Sequence, residues 1–374
     1  MSVNFFKIGL GVFPLAVLAL TTGPATAASF YSVTDLGTFS GSISSALSIN
    51  SSGQVVGSAS NATGDNNAFL YNGGVLQNLG TLGGSNSTAT SVNSSGQAVG
   101  YSDTSTSTHA FLYNGKSLQD LGTFSGGTTS TAYGINNSGQ VVGGADTATG
   151  DLHAFLYKGG TLQDLGTLGG STSFAYSINT SGQVVGFSDT SSGNSHAFLY
   201  NGSGALQDLG TLGGTSSEAR SINTSGRVVG LSSTSSGDSH AFLYNGTLLK
   251  DLGTLGGTTS SALGINSSGD VVGTSDTSGI TGLGGAHAFL YSSGSLLDLN
   301  SAIPTNGWTL NTANAINDAG QIVGTGIIGG QNHAFVLTPV SATSVPEPTD
   351  ELGSLAFGAI LGAGAVLKHK CKRH

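Results

Sequence analysis

Short apolar runs alternate with Gly-, Ser- and Asn-rich turns along the whole middle of the chain, and they do so at a steady period. Ala-Phe-Leu-Tyr or a close variant begins at Ala68, Ala110, Ala154, Ala197, Ala241, Ala288 and Ala334. Asn-x-x-Gly-x-x-Val-Gly, with small variations, begins at Asn50, Asn93, Asn136, Asn179, Asn223, Asn266 and Asn317. Asp-Leu-Gly or a variant begins at Asp35, Asn78, Asp120, Asp164, Asp208, Asp251 and Asp298. The spacing is 42 to 51 residues, mostly 43 or 44. A period of about 40–45 residues with several short strands per unit points to a β-propeller.

Within one unit, Thr131–Leu165, the predicted strands are Ala132–Ile135, Gln140–Gly143, His153–Tyr157 and Thr161–Leu165. Asn137-Ser138-Gly139 and Lys158-Gly159 supply turns between them. Apolar residues do not alternate strictly, as expected where neighbouring blades bury both faces of each sheet.

The ends of the array are complementary. The last copy stops after Ala334-Phe335-Val336-Leu337 without a fourth strand, while Tyr31–Gly37, ahead of the first copy, has that strand's sequence. Joining the two leaves no unpaired edge. The prediction is an all-β fold, a seven-bladed propeller of four-stranded antiparallel blades closed by residues 31–37 in the last blade. An open β-solenoid is the alternative, but it has no use for the split.

Composition removes other classes. Gly is 62 of 374 residues, charged residues are 8% and hydrophobic residues 37%. The chain lacks the high charge and low hydrophobicity of disordered segments. Its glycines have no collagen period, and it is poor in helix formers. The single cysteine, Cys371, excludes internal disulfides and cysteine metal clusters. Between Ala28 and Ser344 five basic residues stand against 16 acidic ones, a balance of −11 that repels phosphate backbones, so no nucleic-acid partner is expected.

Both termini read as addresses. Lys7, the apolar run Ile8–Leu20 and Ala25-Thr26-Ala27 predict a signal peptide over 1–27, with the propeller spanning 30–338. Residues 339–351 form a linker containing Val345, Pro346, Glu347 and Pro348, and 352–374 an apolar helix with a basic tail. The helical run Leu352–Leu367 reaches about 24 Å, marginal against a hydrocarbon core of about 30 Å, with the basic tail on the cytoplasmic side. The order Pro-Glu-Pro, apolar helix, basic end resembles the PEP-CTERM sorting signal of Gram-negative bacteria and cyanobacteria. That resemblance implies signal peptidase and an exosortase as partners during export, with at least transient membrane contact through the C-terminal helix. The repeat, with His-Ala-Phe at its heart, resembles the HAF family of extracellular repeats over nearly all of Tyr31–Leu337. This implies an exported repeat protein with no known catalytic activity.

Histidines precede Ala-Phe in six copies, at His109, His153, His196, His240, His287 and His333. A ring of histidines raises a metal reading. Turn arithmetic favours cross-strand pairing instead, because a two-residue Asn114-Gly115 turn sets His109 directly opposite Asp120. The same logic pairs His153 with Asp164, His196 with Asp208, His240 with Asp251, His287 with Asp298 and, across the closure, His333 with Asp35. The first copy has Asn67 and Asn78 at these positions, and an amide pair replaces a hydrogen bond but not metal ligands. No metal or cofactor is expected. Asp103, Asp146, Asp189 and Asp276 open Ser/Thr/Gly-rich loops and read as Asx turns in preference to calcium ligands.

Unrepeated residues are where a ligand site has room. The loop Ser278–Gly285 and the connection Asn300–Asn311, which holds Trp308, both fall at the junction of blades 6 and 7. Trp308 is either a stacking surface for a sugar ring or a plug for its own long connection. Glu218 and Arg220 either line the channel mouth or form a solvated pair. The expected function is an exported, non-catalytic repeat scaffold that binds a polysaccharide or protein at the cell surface or in the extracellular matrix. The alternative is a propeller glycoside hydrolase or polysaccharide lyase, for which the body offers a single glutamate, Glu218.

Overall fold

The computed structural model describes residues 30–278, 285–304 and 306–340. The signal peptide, the Pro-Glu-Pro motif and the C-terminal apolar segment lie outside the described residues. Among those residues no helix is long and apolar enough to cross a membrane.

Seven antiparallel sheets of four strands form the molecule. Blade 3 illustrates the unit, with strands Ser130–Ile135, Val141–Asp146, Leu152–Lys158 and Thr161–Asp164. These match the predicted strands to within a few residues. Blade 7 takes three strands from the C-terminal side, Thr309–Ile316, Ile322–Ile328 and Gln331–Pro339, and its outermost strand, Tyr31–Asp35, from the N-terminal side. Tyr31 pairs with Pro339 and Asp35 with Phe335. The ring is closed as the complementary ends predict.

The core lies between blades. A phenylalanine from each third strand (Phe69, Phe111, Phe155, Phe198, Phe242, Phe289, Phe335) is fully buried, each contributing about 1.5–3 kcal/mol of hydrophobic stabilisation. At one seam Val142, Ala154 and Leu156 of blade 3 pack on Ala175, Val184 and Phe198 of blade 4. Each sheet is thus covered on both faces, which is why strict alternation is missing from the sequence.

Two belts of hydrogen bonds cross the seams. In the first, each repeated asparagine's amide donates to the carbonyl of the next blade's asparagine: Asn50 to Asn93 (2.9 Å), Asn93 to Asn136 (3.2 Å), Asn136 to Asn179 (3.1 Å), Asn179 to Asn223 (3.2 Å) and Asn223 to Asn266 (3.0 Å). Asn317 closes the circle onto Asn50 at 3.1 Å. In the second, the N–H of the alanine before each buried phenylalanine donates to a serine of the next blade, as Ala154 does to Ser173 (2.9 Å) and Ala334 to Ser44 (2.9 Å). Both belts are interrupted at the blade 6–7 seam. There the Asn266 amide keeps only the bond within its own turn, to Asp270 (3.0 Å), and the serine position is held by Asn311.

Every innermost strand carries a β-bulge. Register slips between Ala46 and Ser48, Ala89 and Ser91, Ala132 and Gly134, Ala175 and Ser177, Ala219 and Ser221, Ala262 and Gly264, and Ala313 and Ala315. The arched backbone presses on the second strand, where only glycine fits. A Cβ on Gly143 would collide with the Thr131 carbonyl oxygen. This close approach explains the glycine of the Val-Gly signature.

Candidate functional site

The His–Asp pairs form at every predicted position. His109, His153, His196, His240 and His333 bring Nδ1 to 2.8 Å from Asp120, Asp164, Asp208, Asp251 and Asp35, and His287 to 2.7 Å from Asp298. Asn78 and Asn67 form the amide counterpart at 3.3 Å. The register differs from the expectation of directly facing residues. Asp120 faces Phe111 and Asp35 faces Phe335, so each pair is diagonal. The cause at His109 is the turn: Tyr113 pairs with Leu118, and Asn114–Ser117 form a four-residue loop in which the Asn114 N–H donates to the Ser117 carbonyl at 3.3 Å. In the tight Gly159-Gly160 hairpin, Lys158 pairs with Thr161 and Asp164 again faces Phe155. Long side chains reach across the diagonal. The second carboxylate oxygen accepts the N–H of the glycine two residues on, as in Gly122 to Asp120 at 2.8 Å. Gly122 has φ +73°, a conformation suited to glycine. The Asp-Leu-Gly signature therefore encodes a pair, a buried leucine and a turn. Among the described residues no group of three or more His, Cys, Asp or Glu side chains is placed to hold a metal ion.

The loop aspartates do not make the Asx turns expected of them. Asp146 accepts the N–H groups of Thr128 (2.9 Å) and Thr129 (2.6 Å) and the Thr128 hydroxyl (2.9 Å), tying the second strand to the start of the first. Burial works to raise its pKa, yet these hydrogen bonds hold it below the ordinary carboxylate value. Asp103 takes Asn86 and Thr108, Asp189 takes Ser195, and Asp276 takes Thr259.

Paired positions on the first two strands decide how open the mouth of the ring is. In blade 4 they are Phe174 and Phe187, whose rings stack at 6.2 Å. The equivalent pairs are Ser261 and Thr274 in blade 6, Thr312 and Thr325 in blade 7, and Ser45 and Ser58 in blade 1. Small side chains leave the space unfilled. A recess of about 790 Å³ opens over blades 5 to 7, lined among others by Ser261, Thr274, Asp276, Asn311, Thr312 and Asn332. A smaller one of about 220 Å³ lies against Ser45, Ser58 and Thr325. Here the Asn311 amide, at the end of the long connection, donates to the carbonyl of Ala286, the residue after the other insertion, at 3.3 Å. Asn311 Oδ1 is buried without a partner among the described residues. Trp308 is half-buried, meets Phe335 edge-on at 6.1 Å and packs against the apolar cluster between blades 6 and 7.

Below the mouth, each bulge places one side chain on the central channel: Leu47, Thr90, Tyr133, Tyr176, Arg220, Leu263 and Asn314. Thr90 and Asn314 are used by the scaffold, bonding the Ala132 and Ala46 carbonyls of the next blades at 2.9 and 2.7 Å. Arg220 stacks its guanidinium 4.3 Å above the Tyr176 ring and pairs with Glu218 at 2.6 Å. Tyr133 meets Tyr176 edge-on at 5.5 Å. Burial pushes the Tyr176 phenol up to about 12, Arg220 opposing and Glu218 and Tyr133 adding to it, so the phenol stays protonated at neutral pH. Sequence reasoning picked out Glu218 and Arg220 but not the ring to which Arg220 belongs. Its signal was the one variable position in an otherwise regular Ala-x-Ser/Gly/Ala-Ile/Val-Asn stretch.

No protein-family model and no curated protein matches the chain. Solved structures share its path at low identity. TolB from Acinetobacter baumannii is 11% identical at a TM-score of 0.45, over 82% of this chain and 65% of that one. A gluconolactonase from Xanthomonas campestris is 13% identical at 0.41, over 85% and 94%. YCF48 bound to D1 peptide is 13% identical at 0.49, over 86% and 99%. The chain spans about two thirds of the TolB length.

Proposed function

We propose that the chain is an exported, non-catalytic scaffold that binds polysaccharide at the cell surface or in the extracellular matrix, using the recess at the blade 6–7 seam. Export rests on the sequence at the two ends. The ligand reading rests on one observation: the largest departure from sevenfold regularity coincides with the large recess, about 790 Å³ in volume. Its lining is mostly hydroxyl and amide side chains, the donors and acceptors that a sugar's hydroxyls match. Glycoside hydrolysis ordinarily uses two positioned carboxylates, and the residues lining the recess supply one, Asp276. The repeated His–Asp pairs serve the hairpins.

The test is an array of neutral and acidic oligosaccharides probed with purified protein and with Ser261→Phe/Thr274→Phe, which fills the recess as Phe174 and Phe187 fill blade 4. Saturable binding to the wild type that the filled variant loses, with unchanged melting temperature, supports the reading. Binding that persists in the filled variant, or no retained glycan, contradicts it. Turnover of the bound glycan replaces the scaffold reading with an enzyme.

A further inference from the structure

The channel carries a feature that neither the repeat nor the recess accounts for. The bulge position is invariant in geometry and variable in residue, and on three successive blades it holds Tyr133, Tyr176 and Arg220. Four of the six repeated third-strand tyrosines have protein partners, among them Tyr113, to which Gln77 donates at 3.0 Å, and Tyr291, to which Lys250 donates at 2.7 Å. No described residue bonds the Tyr133 or Tyr176 hydroxyl, and both side chains line the channel. Arg220 brings five N–H donors, and Glu218 is its one acidic contact among the described residues, while Nε is buried and unpartnered. The cavity they face, about 170 Å³, is lined by no carboxylate, and Arg220 is its sole charged residue among those described.

We propose that this arc is a second binding site, distinct from the recess, for a small carboxylate-bearing molecule. The guanidinium binds the carboxylate, and the Tyr133 and Tyr176 hydroxyls donate to its oxygens. Arginine suits this task because its planar fork matches a carboxylate, and here stacking on Tyr176 fixes the plane. Glu218 stands behind Arg220, outside the channel lining, and orients the guanidinium. The volume restricts the ligand to roughly the size of a hydroxy acid or one acidic sugar. The protein's overall negative charge slows the approach of any anion, so the site selects by local pairing and not by long-range attraction.

The experiment is calorimetric titration of the full chain with glycolate and with glucuronate, each beside its neutral counterpart, ethylene glycol and glucose. The expected result is saturable binding of at least one carboxylate and of neither neutral compound, weakening as salt rises. Arg220→Gln is expected to weaken it by about ten- to a hundred-fold. Because that change leaves Glu218 without its partner, Glu218→Gln/Arg220→Gln and Tyr176→Phe are measured too. The double variant is expected to lose binding like the single one, and Tyr176→Phe, which keeps the ring, to weaken it about five- to ten-fold. Binding of neutral and charged probes alike, no saturable binding by either carboxylate, or full affinity in a folded Arg220 variant would overturn the proposal. The Ser261→Phe/Thr274→Phe variant is expected to keep carboxylate binding, which separates this site from the recess.

Discussion

Six of the seven blade seams and the remaining one are built differently. At a regular seam such as that between blades 3 and 4, an asparagine amide (Asn136 to Asn179, 3.1 Å) and a serine hydroxyl (Ala154 to Ser173, 2.9 Å) cross from blade to blade. Each such bond contributes about 0.5–1.5 kcal/mol net and, more importantly, satisfies a buried polar group. At the blade 6–7 seam neither bond forms. Ser267 N–H reaches Asp318 at 2.9 Å, as Ser94 N–H reaches Asn137 at the blade 2–3 seam (3.0 Å), and an apolar cluster of Leu299, Ala302, Ile303 and Leu310 takes over the packing. Repetition in this chain records what the ring needs at every joint. Where packing replaces those bonds, the residues are released from the repeat, and that is where the loops lengthen and the recess opens.

The largest expected effect comes from cutting the closure, which both kinds of seam depend on. Removing Tyr31–Gly37 strips the outer strand from blade 7 and bares the Gln331–Pro339 edge. The expected outcome on size-exclusion chromatography is aggregate in place of monomer. Next, Asn136→Ala removes a seam bond and orphans groups in its own turn, so urea titration should show a loss of about 2–3 kcal/mol. Asn266→Ala breaks only its own turn, and its loss should be smaller by about 1 kcal/mol. Equal losses would erase the distinction between the seams. The smallest effect is reserved for the surface pairs. Asp120 is 43% exposed at its side chain, so His109→Asn/Asp120→Asn should stay within about 1 kcal/mol of the parent in the same titration.

The ring, the blade count and the closure were legible because they follow from what repeats. Asn67 and Asn78 exposed the His–Asp pairing by changing together. The diagonal register was not legible, since Asn114-Gly115 read as a two-residue turn, whereas Asn114 Oδ1 accepts both the Lys116 and Ser117 N–H groups and stabilises a longer loop. The aspartates were misread for a related reason. Asp146 finds its donors 17 and 18 residues away, just ahead of a partner strand that only the fold brings near. The asparagine belt was hidden because its acceptors sit 43 or 44 residues away in the next copy, except at the closure, where Asn317 reaches Asn50. The channel arc was half visible, as Arg220 stood out chemically, while the bulge that aims it is a backbone event with no residue type of its own.

Native-state hydrogen exchange, resolved to the third strands, tests the contrast between seams most directly. The alanine amides at 68, 110, 154, 197, 241 and 334 donate to serine hydroxyls, and Ala288 faces a seam without that serine. Exchange reports the free energy of local opening. The account predicts that Ala288 exchanges fastest of the seven and that the closing seam, at Ala334, is as protected as the regular ones. Uniform protection, or first opening at Ala334, would contradict it.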